Sequence, residues 1–270
     1  MELTGMHVVV TGASQGIGEA TARSFAAAGA RVTVVARQVD KLAKVAADIG
    51  GNAVVADLLN ESRVAGLIAE IEATHGPIDV LVNNAGIEYS QPFAAMDPDG
   101  IGRLMTLNTI VPMQLTRQVL PLMLDRGRGH LVFTSSIAGS WSFPGLAVYC
   151  GSKAAINNFA GTIRCELKST PINVTLVAPG PVDTAMWENI EASTGSTQRV
   201  VQRLQRLHLV PTTQPTKVAA DTVSAVQHDR RHVRSPKRLL VTFWMSEAPR
   251  RLVEALLVGV RFDPLDRTAG

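Results

Sequence analysis

The chain has 270 residues, 46% of them hydrophobic and 18% charged, with a formal net charge of +3. That balance favours a well-buried globular core over disorder, and so small a charge gives no basis for nucleic-acid binding despite a pI near 9.1. The start, MELTGMHVVV, has neither the basic segment nor the apolar run of a signal peptide, and nothing reaches the ~18 uninterrupted apolar residues of a membrane span.

Short β-branched runs alternate with helical patterns from the first residues onward. Strands are predicted at His7–Thr11, Arg31–Ala36, Asn52–Ala56, Val80–Asn83, His130–Ser135 and Asn173–Ala178. Helices are predicted at Ile17–Ala28, Val39–Ile49, Arg63–Thr74, Gly100–Leu124 and Tyr149–Lys168, each with apolar positions at helical period. Several strands are nearly continuous apolar runs, as burial on both faces requires. The alternation predicts an α/β fold: one parallel sheet, doubly wound, with helices on both faces. No repeat, low-complexity linker or composition break divides the chain, so one domain is expected.

The segment TGASQGIG (11–18) follows the first strand and opens the first helix, the context of a dinucleotide-binding loop. Gly12 permits the turn out of the strand. Gly16 removes a Cβ from the path of a pyrophosphate, and Gly18 allows close helix–sheet packing. The helix start adds N–H groups and partial positive charge for phosphates.

The second strand ends at Ala36, where an NAD-binding chain of this kind usually places a carboxylate. Arg37 follows, and a guanidinium can pair with a 2′-phosphate through a forked contact. NADP is therefore preferred over NAD, unless Arg37 is simply a solvated strand-end residue.

Farther along, Tyr149 and Lys153 stand four apart in YCGSK. On a helix they share one face. A neighbouring ammonium favours the phenolate and brings a free Tyr, near ~10, closer to a useful acid/base. Cys150 reads as packing rather than as a nucleophile. Cys150 and Cys165 lie about 22 Å apart along one predicted helix, beyond a disulfide's reach. With no metal-ligand spacing, they suggest a reduced, cytoplasmic protein.

Together these segments resemble the short-chain dehydrogenase/reductases, a family with a Rossmann-type sheet, over about residues 5–185. TGASQGIG, the acidic AD at 56–57, NNAG (83–86), Asn108, Ser136, YCGSK and PGPVDT (179–184) occur in the family's order and spacing. The resemblance implies that Ser14, Gln15 and Ile17 join the three glycines around the cofactor. Many NADP-users of the family carry a second basic residue at the position of Gln15. Asp57 with Leu58 would contact the adenine, unless Asp57 is only a helix cap. Asn83, Asn84, Ala85 and Gly86 would close over the adenosine side and brace the central strands. Pro179, Gly180, Val182 and Thr184 would line the nicotinamide face.

The resemblance also implies a catalytic set. Tyr149 would exchange the proton, and Lys153 would tune the phenol and hold the nicotinamide ribose. Ser136 would hydrogen-bond the substrate oxygen, unless it is merely a helix cap. Asn108 would bend its helix and hold a water linking Lys153 to solvent. The function implied is NADP(H)-dependent carbonyl reduction or alcohol oxidation. The alternative is a catalytically silent NADP(H)-binding regulatory or scaffold protein.

Beyond Thr184 the resemblance thins. Residues 185–210 are expected to form a helical flap, with Met186 and Trp187 either walling the substrate site or packing. Phe143, Pro144 and Leu146 suggest an apolar opposite wall, and hence a hydrophobic substrate. RRHVRSPKR (230–238) reads as a solvated turn, with an anionic lipid surface as the other reading. The tail offers a strand at 238–243 and an amphipathic helix at 249–263, for core, dimer or peripheral membrane contact. It replaces the paired-glycine ending of many tetrameric relatives. A homodimer or tetramer is expected, the dimer through the helices at 100–124 and 149–168.

Overall fold

Runs such as HVVVT, RVTVVA and INVTLVAP can be buried on both sides only if helices cover the sheet above and below. The computed structural model, which describes residues 1–191, 203 and 211–235, has that arrangement. The strands are β1 (His7–Thr11), β2 (Arg31–Ala36), β3 (Asn52–Val55), β4 (Val80–Asn83), β5 (Gly129–Thr134), β6 (Ile172–Pro179) and β7 (His232–Ser235). They form one sheet in the order β3-β2-β1-β4-β5-β6-β7, every neighbouring pair parallel.

Helices α1 (Gly16–Ala27), α2 (Val39–Ile49) and α9 (Pro215–Gln227) cover one face. Phe25, Leu42 and Val226 pack there against Val8, Val10 and Val34. The other face is covered by α3 (Glu61–Ala65), α4 (Leu67–His75), α6 (Val111–Arg126) and α7 (Ala147–Glu166). Ile71, Leu115 and Ile156 pack there against Val9, Val35 and Leu131. Each such side chain contributes ~1.5–3 kcal/mol on burial, so the sandwich rather than helix propensity holds these elements. Helices α5 (Pro98–Met105) and α8 (Ala185–Glu191) lie at the crevice end.

Several predicted bounds shift. The helix expected over Arg63–Thr74 is interrupted at Gly66, and the side chain of Asn60 caps its first part. The helix expected over Gly100–Leu124 is interrupted by a π-helical turn at Thr106–Ile110, so the bend expected at Asn108 is present. RRHVRSPKR is not a solvated turn throughout. His232–Ser235 is strand β7, last in the order of the described strands and paired along β6, and Arg234 is buried. Its polar side chains, His232, Arg234 and Ser235, masked that strand because they give no apolar run to read. Helix α9 was not predicted. Most of the flap (192–202 and 204–210) and the C-terminal strand and helix (238–263) lie outside the described residues.

The strand order reverses between β1 and β4, so the connections after these strands leave in opposite directions. Their carboxyl ends then open a crevice, the usual ligand position in such sheets. TGASQGIG follows β1 there, and NNAG follows β4.

Candidate active site

Thr11, at the end of β1, ties the two sides of the crevice together. Its hydroxyl donates to the Val82 carbonyl at 3.2 Å and accepts from the Asn84 and Ala85 amides at 3.0 and 3.1 Å. The Asn84 side chain donates back to the Thr11 carbonyl at 3.0 Å. This clasp sets the spacing between the glycine loop and NNAG, and reading the sequence did not find it. A threonine before a glycine loop carries no signal until its partner strand is known.

Each glycine of the loop stands where a side chain would collide. A Cβ on Gly12, which has φ +66°, would lie 2.7 Å from the Ala85 Cα. One on Gly18 would lie 2.2 Å from the Gly12 carbonyl oxygen. The close approach at Gly18 is therefore to the loop and Asn84 rather than to the sheet. Gly16, at φ +61°, faces the Thr184 methyl, where a Cβ would come within 3.3 Å. Gln15, the N-cap of α1, makes no side-chain cap hydrogen bond. The first-turn N–H groups of α1 thus have no side-chain partner at the cap, as an anion cradle requires. Gly18→Ala is expected to cost ~1–3 kcal/mol by overpacking and to weaken nucleotide binding. Thermal unfolding with and without NADPH reads both.

The loop opens into a cleft of about 900 Å³ lined by Gly12, Ser14, Gln15, Gly16, Ile17 and Gly18. Arg37, Asp57 and Leu58 line one end, and Asn84, Ala85 and Gly86 the middle. Pro179, Gly180, Val182 and Thr184 line the far side together with Ser136, Tyr149 and Lys153. The size suits an extended ligand with a second small molecule beside it, and the glycine cradle fits a dinucleotide pyrophosphate. Asp57 is no helix cap: its carboxylate accepts from the Leu59 amide at 3.0 Å, and Asn60 caps instead.

Two expected site residues do not themselves line the cleft. Asn83 is buried, does not line the cleft, and donates to the Thr116 hydroxyl of α6 at 3.4 Å. Strand alternation explains this, because Asn83 and Asn84 point to opposite faces. Asn108 is also buried and away from the cleft lining. Its Oδ1 accepts from the Ile87 amide at 2.9 Å, and its Nδ2 donates to the Ile87 carbonyl and Ser152 hydroxyl at 2.9 and 3.1 Å. These hydrogen bonds tie the loop after NNAG, at Ile87, to α7 at Ser152.

The groups expected to react, Ser136, Tyr149 and Lys153, lie together near the start of α7. Tyr149 and Lys153 are 8% and 4% exposed, one helical turn apart, with the ammonium 5.7 Å from the ring centroid. Ser136 hydrogen-bonds the Tyr149 phenol while its hydroxyl accepts from the Ala138 amide at 3.1 Å. It is a cap and a phenol partner at once. Lys153 Nζ donates to the Thr134 carbonyl at 2.9 Å. Burial pushes the phenol up to about 12, against the Ser136 hydrogen bond. Burial also brings the Lys153 ammonium down to about 8. The expected lowering of the phenol by Lys153 is therefore absent, since desolvation outweighs it and Nζ is committed to Thr134.

The Ser136 loop is fastened to α7 by contacts the sequence did not reveal. Ser135 donates to the Asn157 carboxamide oxygen at 2.6 Å and to the Lys153 carbonyl at 3.2 Å. Gly139 lies so close to α7 that a Cβ would be 2.5 Å from Asn157 Nδ2. Such contacts fix Ser136 relative to Tyr149, which sequence spacing of thirteen residues cannot do.

Comparison with known proteins decides the family. The short chain dehydrogenase family matches residues 6–195. The chain belongs to that family. Its sequence is 33% identical over 237 residues to dehydrogenase/reductase SDR family member 7B of Bos taurus, covering 84% of this chain and 72% of that one. It is 35% identical over 231 residues to ketoacyl reductase HetN of Nostoc sp., covering 84% and 77%. Among solved structures, the chain is similar to a short-chain dehydrogenase from Sphingobium yanoikuyae in complex with NADPH. That one has a TM-score of 0.78 at 25% identity, covering 95% of this chain and 96% of that one.

Within this short-chain dehydrogenase, the cleft beside Tyr149 has apolar walls. Phe143, Pro144 and Leu146 line one side, and Met186, Trp187 and Ile190 the other. Met186 and Trp187 thus face the cleft. Tyr89, Arg103 and Leu107 line it too and went unnoticed in the sequence, where they carry no motif. Cys150 is half-buried in the cluster with Tyr149 and Phe143, and burial raises its thiol, as a packing residue requires. Among the described residues no His, Cys, Asp and Glu cluster could hold a metal, and no helix is long and apolar enough to cross a membrane.

Proposed function

We propose that this short-chain dehydrogenase interconverts a carbonyl and a secondary alcohol on an apolar substrate, using NADP(H). A bound nicotinamide supplies or accepts the hydride. The observation that carries the reading is that the buried Tyr149 and Lys153, with the half-buried Ser136 beside them, open onto the same cleft as the glycine loop.

During reduction negative charge grows on the carbonyl oxygen, which needs a proton and a fixed hydrogen-bond donor. Tyr149, held protonated near neutral pH by its burial, donates the proton. Ser136 orients the oxygen, and Lys153 supports the charge that the phenol takes on when it gives up its proton. Oxidation runs through the same groups in reverse. Thr184, whose hydroxyl donates to the Val182 carbonyl at 3.1 Å and whose methyl meets Gly16, would hold the far wall against the nicotinamide.

Arg37 supports the choice of NADP. It is exposed at the end of β2, lines the cleft, and meets no carboxylate among the described residues. Its planar donors suit a 2′-phosphate. The silent-binder alternative leaves a buried ammonium without a use. The test is NADPH consumption against a panel of apolar ketones and aldehydes. Turnover supports the proposal, and binding without turnover on any carbonyl overturns it. Arg37→Asp is expected to weaken NADPH about tenfold or more and to leave NADH little changed. Equal affinity for both cofactors in the parent protein would defeat the NADP assignment.

A further inference from the structure

We infer that Arg103, on the cleft wall, forms a carboxylate-binding subsite with Tyr89, so that the preferred substrate is an apolar carbonyl compound ending in a carboxylate. The inference rests on the carbonyl/alcohol reading above and deepens it by naming a charged group on the substrate.

Helix α5 sets Arg103 beside the groups expected to react. Leu104, its neighbour in the chain, is fully buried in the cluster that contains Tyr149 and Leu146. Tyr89 packs against the same cluster, and a Cβ on Gly100 would lie 3.5 Å from its ring. Arg103 follows Gly100 by three residues on α5, hydrogen-bonds the Tyr89 side chain and lines the cleft with it. The Tyr89 ring thus bridges α5 and the Tyr149 cluster.

The other charged side chains on the cleft wall are accounted for. Glu19 and Arg23 pair with each other at 2.9 Å. Asp183 accepts from the Gln214 carboxamide at 2.9 Å, and Lys153 donates to the Thr134 carbonyl. Arg37 and Asp57 line the nucleotide end. Glu88, beside Tyr89 in the chain, does not line the cleft, and its burial favours the neutral carboxyl. Arg103 is therefore the cation available to a substrate.

Its partner Asp97 does not use the guanidinium up. Nη2 donates to Asp97 Oδ2 at 3.1 Å, between side chains 49% and 57% exposed. So exposed a pair is weak and exchanges readily. Asp97 Oδ1 meanwhile accepts from the Asp99 amide at 3.2 Å as the N-cap of α5, which fixes the carboxylate that orients Arg103. A guanidinium has five donors, so donors remain for a forked contact with a carboxylate. The Tyr89 hydroxyl, accepting from Arg103, keeps its own proton to donate to the same group. One guanidinium balances one negative charge, and Phe143, Leu146, Met186 and Trp187 offer the rest of the ligand apolar wall.

Steady-state assays with NADPH and with NADH, on straight-chain oxo acids each paired with its methyl ester, isolate the carboxylate on a constant carbon skeleton. With the parent protein the best acid is expected to exceed its ester about tenfold or more in kcat/KM, mainly through KM, and less so as salt rises. Arg103→Ala should remove about fivefold or more from the acid and far less from the ester. Arg103→Lys should keep part of the preference, and Tyr89→Phe should lose part of it. No turnover of any acid or ester would overturn the carbonyl reading and this inference together. Equal efficiency for acids and esters in the parent, a preference that Arg103→Ala leaves intact, or an equal loss on both substrates would overturn this inference alone.

Discussion

Tyr149→Phe is expected to lower kcat by about 10²–10⁴, the usual contribution of a positioned acid/base. Cofactor affinity should stay within about twofold, because Phe keeps the ring in the cluster with Leu104, Ala138 and Leu146. Pre-steady-state and steady-state assays of one ketone, with NADPH binding followed by fluorescence, separate the two effects. A variant that retains a tenth of the rate would show that the phenol is not the proton donor. The pH dependence has a direction too. Burial holds the phenol at about 12, so its protonated form dominates at neutral pH. Alcohol oxidation, which needs the phenolate, should therefore rise between about pH 7 and 9. Carbonyl reduction should not rise with it.

Lys153→Met is expected to abolish activity and yet raise stability at neutral pH. Burial takes the ammonium from 10.5 to about 8. At ~1.4 kcal/mol per pKa unit that displacement corresponds to about 3 kcal/mol of destabilisation by the buried charge. Below about pH 8 folded and unfolded chains both carry the proton, and the full cost is present. Between about 8 and 10.5 the unfolded chain binds more protons, so the parent protein gains stability as pH rises. Tyr149 opposes this above pH 10, where its folded value of about 12 keeps a proton that the unfolded chain has lost. Urea unfolding at pH 7 and pH 9.5 should show the parent closing the gap on Lys153→Met. Parallel behaviour of the two proteins would mean that Lys153 is not desolvated in solution.

The two experiments share a physical cause. Burial makes Tyr149 a reluctant base and Lys153 a reluctant cation. A site of this kind trades stability for reactivity.

The elements that were legible in the sequence are those whose signal is local. The strands β1, β2 and β4 end where their apolar runs end, and Gly12, Gly16 and Gly18 announce a crowded loop, where a Cβ would come within 2.2–3.3 Å of a neighbouring atom. Tyr149 and Lys153 share a helix face by period alone. Strand β7 was hidden because HVRS has no alternation to read, and its pairing partner β6 lies more than fifty residues away. Helix α9 was missed for a similar reason, since it earns its place by covering α1.

Sequence by itself determined the parallel sheet and the family, and it placed Tyr149 and Lys153 on one helix face and the glycine loop at the end of β1. Only tertiary structure decided that Asn83 turns to Thr116, that Asn108 pins Ile87, and that Arg103 meets Tyr89. It also decided the direction of the Tyr149 and Lys153 shifts. Residue spacing specifies which side chains share a face, whereas proton affinity depends on how much water the rest of the chain removes from that face.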